Sequence, residues 1–167
     1  MANVILHKVK CTNPYNNTKK NYYNDDAVEN AIKYIYRKNA KGKFNLYGTI
    51  GTFYTDPNNI VNDTIDDFMQ QKNIHHKPDG LQLVHYILSF PANFQVPQKK
   101  KFQKLIIRTA KIWDKDFQVA YALHEDTDNL HVHFIINSTS YAGYKISINE
   151  KRFHKYQKLA NKIWSNI

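Results

Sequence analysis

The sequence predicts an α+β fold: a central antiparallel β-sheet with helices packed on one face and an open cleft on the other. Three observations predict it. Residues 81–90, 117–124 and 130–137 alternate apolar and polar side chains with the period of a strand. Four other segments repeat apolar residues at the three- and four-residue spacing of a helix. Six residues separate His124 from His131, with Asp126, Thr127, Asp128 and Asn129 at the tip, turn chemistry that joins the last two strands as a hairpin. A length of 167 residues, 42% hydrophobic and 14% aromatic, suffices for one core, so residues 1–167 read as a single domain.

Residues 4–9 form the first strand, and the polar run 12–25, rich in Asn, Lys and Tyr, is a loop. Asp26 followed by Glu29 has the form of a capping box, and Val28, Ala31, Ile32 and Ile35 make the apolar stripe of the helix it starts. Residues 38–42 end that helix. Residues 44–54 mix aromatic, β-branched and glycine residues and read as a short strand or irregular structure. The helix over 59–71 buries Val61, Ile65, Phe68 and Met69, while Asp63, Asp66 and Asp67 read as its solvated face rather than a metal cluster. A turn at Pro78, Asp79 and Gly80 leads into strand 81–90, which places Leu83, His85, Ile87 and Ser89 on one face and stops at Pro91. From Pro97 a long helix turns Phe102, Leu105, Ile106, Ala110 and Trp113 inward. After the hairpin a loop runs through Gly143 to a final helix, begun by Ser147 and Glu150 as a second capping box, with Phe153, Tyr156, Leu159, Ala160, Ile163 and Trp164 facing the core.

Lys and Arg number 24 against 14 Asp and Glu, a formal net charge of +10 that points to a polyanionic partner, nucleic acid first. Arg37, Lys41, Lys100, Lys104 and Arg108 are the candidate phosphate contacts, with exposed tyrosines stacking on bases. The single cysteine, Cys11, excludes an internal disulfide and fits a reducing cytoplasm. No run reaches membrane-spanning length and the N-terminus lacks a charged-then-apolar signal pattern, so neither membrane insertion nor secretion is expected.

The chemistry concentrates in residues 124–137. On a strand, His131, His133 and Asn137 share one face while Val132, Phe134 and Ile136 fill the other, and the preceding strand presents His124 beside the pair. Three co-facial imidazoles against an apolar layer are costly without a metal or hydrogen-bond partners. The spacing predicts a site for a divalent metal, with Asp126 suited to hold the second nitrogen of an imidazole. His85, alone in its strand, reads as an ordinary polar residue.

The order His124-x-Asp126, four residues, His131-x-His133 and then Asn137 resembles the histidine motif of the conjugative relaxases, or mobilisation nucleases, of the HUH endonuclease superfamily. The strand from Leu83 to Phe90, ending in Ser89 and Phe90, resembles the family's preceding motif, and Ala31, Ile32, Lys33, Tyr34 and Ile35 resemble the helix that bears its catalytic tyrosine. These anchors span most of residues 4–165 in family order; relaxases usually continue into a long C-terminal region, so a minimal member or a nuclease domain is expected. The resemblance implies a metal and DNA cleft on the open face of the sheet. It also implies a site- and strand-specific endonuclease and strand transferase that nicks single-stranded DNA at an origin of transfer through a 5′-phosphotyrosine. By the same resemblance His124, His131 and His133 hold Mg²⁺ or Mn²⁺, Asp126 is the motif carboxylate, and Ser89 and Asn137 join the DNA-contacting set. Relaxosome accessory proteins and a coupling protein are the implied protein partners. A rolling-circle replication initiator of the same superfamily, or a non-catalytic single-strand binder, is the alternative; initiators generally place the histidine motif before the tyrosine helix.

At 100° per residue Tyr36 falls on the shoulder of the apolar stripe of its helix, whereas Tyr34 lies well off it, near Asn30 and Arg37. Tyr34 is therefore the expected nucleophile, with Tyr22, Tyr23 and Tyr36 as alternatives.

Overall fold

Alternation in the three long strands fixes how the sheet is sandwiched. The computed structural model describes residues 4–10, 22–40, 42–53 and 56–165. Along the chain these form β1 (Ile5–Lys8), α1 (Ala27–Ile35), a 3-10 turn (Lys38–Ala40), β2 (Tyr47–Ile50), α2 (Ile60–Ile74), β3 (Leu83–Ser89), α3 (Lys99–Ala110), β4 (Val119–His124), β5 (His131–Asn137) and α4 (Glu150–Trp164). The strands make one sheet in the order β1-β3-β5-β4-β2 with antiparallel pairing throughout. Cys11 and Lys41 lie outside the described residues, as does most of the 12–25 run.

On one face Val84, Tyr86, Leu88, Val132, Phe134 and Ile136 form a core with Phe102, Leu105 and Ile106 of α3 and Ala160 and Trp164 of α4. Tyr86 stacks on Trp113 at 5.2 Å between ring centroids. The opposite face carries Leu83, Ala120, Ala122 and Ile135, against which α1 packs Val28, Ala31, Ile32 and Ile35 and α2 packs Ile60 and Phe68. Helices thus occupy both faces rather than one. The physical reason is that the second face carries an apolar patch of its own, Leu83, Ala120, Ala122 and Ile135, which must be covered, and two alanines there let a helix approach closely. The histidines sit beside the C-terminal end of α1, His124 and His133 buried and His131 partly exposed.

Local signals shifted by a residue or two. Asp26 precedes α1 without capping it through its side chain, which accepts instead from Asn30 Nδ2 at 2.8 Å. Asn149, not Ser147, caps α4, its Oδ1 accepting the backbone N–H of Arg152 at 2.9 Å, so Glu150 is the first helical residue. The buried spine of α2 is Ile60, Thr64, Phe68 and Lys72, with Val61, Ile65 and Met69 only partly covered. No described helix is long and apolar enough to cross a membrane.

Candidate functional site

Cross-strand register assembles the site. Antiparallel pairing sets His124 opposite His131, His131 opposite Ser89, and Ser89 opposite Ile5, a row of four side chains on one face across four strands. His133 follows two residues along β5 on the same face. One nitrogen from each of His124, His131 and His133 falls within 4.8 Å of the others.

The remaining ring nitrogens have partners that set the tautomers. His124 donates from Nε2 to the carbonyl of Ile35 at 2.8 Å, leaving Nδ1 as a lone pair. His131 donates from Nδ1 to the carbonyl of Asn129 at 2.9 Å, leaving Nε2. His133 Nδ1 lies 2.7 Å from His85 Nε2, and His85 Nδ1 lies 2.7 Å from the Tyr22 hydroxyl. A proton on each Nδ1 satisfies both contacts and leaves His133 Nε2 as an acceptor. Among the described residues, His124 Nδ1 and His133 Nε2 are buried without a hydrogen-bond partner. A buried acceptor left unpaired costs free energy, and two converging beside a third imidazole suit a cation. Burial pushes the His124 imidazole down to about 4 despite the Ile35 bond, and burial with the neighbouring His85 and His124 pushes His133 lower still. Both are neutral near pH 7, the form that ligates metal. The residues present therefore fit a divalent ion.

Tyr34 stands over this pair. Its ring centroid is 5.4 Å from that of His133 and 5.8 Å from that of His124, and the residue is 46% exposed. The Arg37 guanidinium carbon lies 4.0 Å from the Tyr34 ring centroid, and Arg37 Nη2 donates to Asp126 Oδ2 at 2.5 Å. Burial alone would raise the Asp126 carboxyl, but Arg37 outweighs it and holds the group below the usual carboxylate range.

The family described as relaxases, MobA/VirD2-like, nuclease domain, matches residues 34–166. The chain belongs to that family. Protein MobA of Acidithiobacillus ferrooxidans is 40% identical over 53 residues, 32% of this chain and 13% of the relative's length. A solved structure, "Molecular Basis of Vancomycin Resistance Transfer in Staphylococcus aureus", superposes with a TM-score of 0.47 at 10% identity, covering 72% of this chain and 69% of that one.

Against the sequence expectations for a relaxase nuclease domain, the structure brings Tyr34, Arg37, Ser89, Asp126 and the three histidines together. Asp126 does not hold an imidazole: its carboxylate is taken by Arg37, and the imidazole protons go to Ile35, Asn129 and His85. Asn137 lies on the expected face yet is fully buried, because β5 runs on beneath α2. Its amide donates to the carbonyl of Phe68 at 3.0 Å and to Gln118 Oε1 at 2.7 Å and accepts from Lys72 Nζ at 2.8 Å, so it is a core residue and not a DNA contact. Lys100, Lys104 and Arg108 are exposed on α3, across the sheet from the histidines, because the apolar stripe of α3 docks on the opposite core. Of the alternative tyrosines, Tyr36 is buried and donates to the carbonyl of Gly48 at 2.8 Å, and Tyr22 is buried against His85. His85 was not visible as a site residue in the sequence, and Tyr22, an alternative nucleophile there, instead meets His85. The available signal was that His85 shares a strand face with Ser89.

Proposed function

We propose that this chain is a single-strand DNA nickase and strand transferase in which Tyr34 attacks one phosphodiester at an origin of transfer. The observation that carries the reading is the placement of an exposed tyrosine against two buried imidazoles whose unpaired nitrogens converge. His124, His131 and His133 are the residues to hold a divalent ion, Mg²⁺ or Mn²⁺ by the hard oxygen chemistry of its phosphate partner. Such an ion, when bound, supplies positive charge to the scissile phosphate.

The chain's own residues account for the rest. The Tyr34 oxygen forms a bond to phosphorus as the bond from phosphorus to the 3′ oxygen breaks. The phenolic proton is lost and the departing 3′ oxygen gains one, so the number of phosphate ester bonds is unchanged and rejoining needs no external energy. Arg37 brings a cation to the face of the nucleophile, where it both orients the ring and draws phosphate in. Asp126 holds that guanidinium in place. His85 and Tyr22 orient His133. Ser89, opposite His131, is positioned for the strand entering the site.

The test is incubation with Mn²⁺ and single-stranded oligonucleotides spanning candidate origins, read on a denaturing gel. A shortened strand with a free 3′ hydroxyl, together with a protein band carrying the other fragment through its 5′ phosphate, is expected. Cleavage that yields two free fragments with no protein attached would sink the phosphotyrosine reading.

A further inference from the structure

Lys100 and Lys104 lie on α3, away from the cleft, and the basic residues of α3 and α4 have a logic of their own. Residues 99–111 and 150–164 hold eleven of the 24 basic residues and a single acid, Glu150. On α4, Lys151, Lys155, Lys158 and Lys162 recur at four-, three- and four-residue spacing, so they form one exposed stripe with a cation at each turn, about 5.4 Å apart. Neither the Lys33–Glu29 nor the Arg37–Asp126 ion pair involves this stripe. Like charges three and four residues apart destabilise a helix. A bound polyanion reverses that penalty.

A route joins the stripe to the site. The row His124, His131, Ser89 and Ile5 runs from the metal-site residues to the sheet edge, three strand spacings or about 14 Å. Ile5 at its end is 55% exposed. Around that edge, Ile5 and Leu6 share a groove with His154, Gln157, Lys158 and Asn161 of α4. His154 and Lys158 also line the next groove, which runs between Lys151, Lys155 and Lys162 and past the exposed Leu159. We infer that the DNA strand engaged at the site continues as single strand over the β1 edge and along the lysine stripe of α4. This rests on the nuclease reading above and extends it to a second contact surface. Lysines meet phosphates at each turn, the His154 ring offers a face on which a base can stack, and Ile5 and Leu159 offer apolar contact beside it. A flexible strand can turn the sheet edge, whereas a stiff duplex bends over such a distance only at considerable cost.

The experiment compares the full chain with a variant carrying Lys151→Gln, Lys155→Gln, Lys158→Gln and Lys162→Gln, which keeps helix propensity. Binding is measured to oligothymidines of about 8 and about 30 nucleotides as salt is varied. Affinity for the long strand should fall about tenfold or more, and its salt slope by about 3, with the short strand unaffected. Equal effects on both lengths, or no effect on the long strand, would overturn the route. Independently of the variant, a long strand bearing 4-thiothymidine should crosslink to α4, and crosslinks confined to residues 34–37 and 124–133 count against the inference. Short-strand binding and the Tyr34 adduct report on the site alone. Their loss with the lysine dependence intact overturns the nuclease reading and not the route.

Discussion

His124 donates to the carbonyl of Ile35, the residue after Tyr34, across 2.8 Å. One hydrogen bond therefore fixes the tautomer of a candidate metal-site histidine and the position of the helix end that carries the proposed nucleophile.

Tyr34→Phe removes the reacting oxygen and leaves the ring contacts with His124 and His133 in place. Nicking and the covalent adduct should both vanish while Mn²⁺ affinity and melting temperature stay at wild-type values. Peptide mapping of a trapped adduct by mass spectrometry decides the assignment, and DNA on Tyr23 would move the nucleophile without disturbing the family.

His85→Phe and Tyr22→Phe each break the chain of contacts that orients His133. Loss of such an outer partner typically weakens metal affinity by about 10–100-fold. Calorimetric titration of the purified protein with Mn²⁺ reads this directly, without DNA. Wild-type affinity in both variants would remove the orienting role.

Arg37→Gln takes away the cation over Tyr34 and the partner of Asp126. The ion pair is partly exposed, so stability should change by less than about 1 kcal/mol. Cleavage should nevertheless drop steeply at unchanged Mn²⁺ affinity. A melting-temperature loss large enough to explain the drop would reassign Arg37 to a structural role.

The buried imidazole of His124 makes the metal-free fold sensitive to acid. Its folded value, about 4, lies below its ordinary 6.5, so between these values the unfolded chain binds more protons than the folded one. Stability should be fully present above pH 6.5 and decline by on the order of a few kcal/mol as pH falls towards 4. Chemical denaturation across that range, repeated on His124→Asn, should show the slope flattened in the variant.

Lys72 is fully buried and gives hydrogen bonds to the carbonyl of Gln82 at 2.6 Å, Asn137 Oδ1 at 2.8 Å and Ser138 Oγ at 2.9 Å. Burial, aided by Lys145, pushes it down to about 7. The unfolded chain therefore holds the extra proton between pH 7 and 10.5, and stability should rise with pH through that window. Lys72→Met should abolish that rise. Lys72→Ala, which leaves three acceptors and a cavity, should cost about 3 kcal/mol or more. Parallel pH profiles for wild type and Lys72→Met would mean that Lys72 stays charged in the core.

The sheet and the three-histidine cluster were legible because strand alternation is a strict rule: His131 and His133 must share a face, and a six-residue turn returns His124 beside them. Periodicity fails where a neighbour decides. It reports that Lys100 and Lys104 point away from the core, but not on which face of the sheet α3 docks. It puts Asn137 on the histidine face, but not under α2. Lys72 violates the apolar spine of its own helix, and only the carbonyls and hydroxyl gathered around it make that position tolerable. His85 looked ordinary because its importance lies in a contact to a strand 48 residues away.

The bonds that shape the site join distant parts of the chain: His124 to Ile35 spans 89 residues, and His85 to Tyr22 spans 63. During synthesis the segment bearing Tyr34 emerges long before the strand that ends in Asn137. A nascent chain therefore lacks the three-histidine cluster and its tyrosine until the hairpin has formed and been inserted into the sheet.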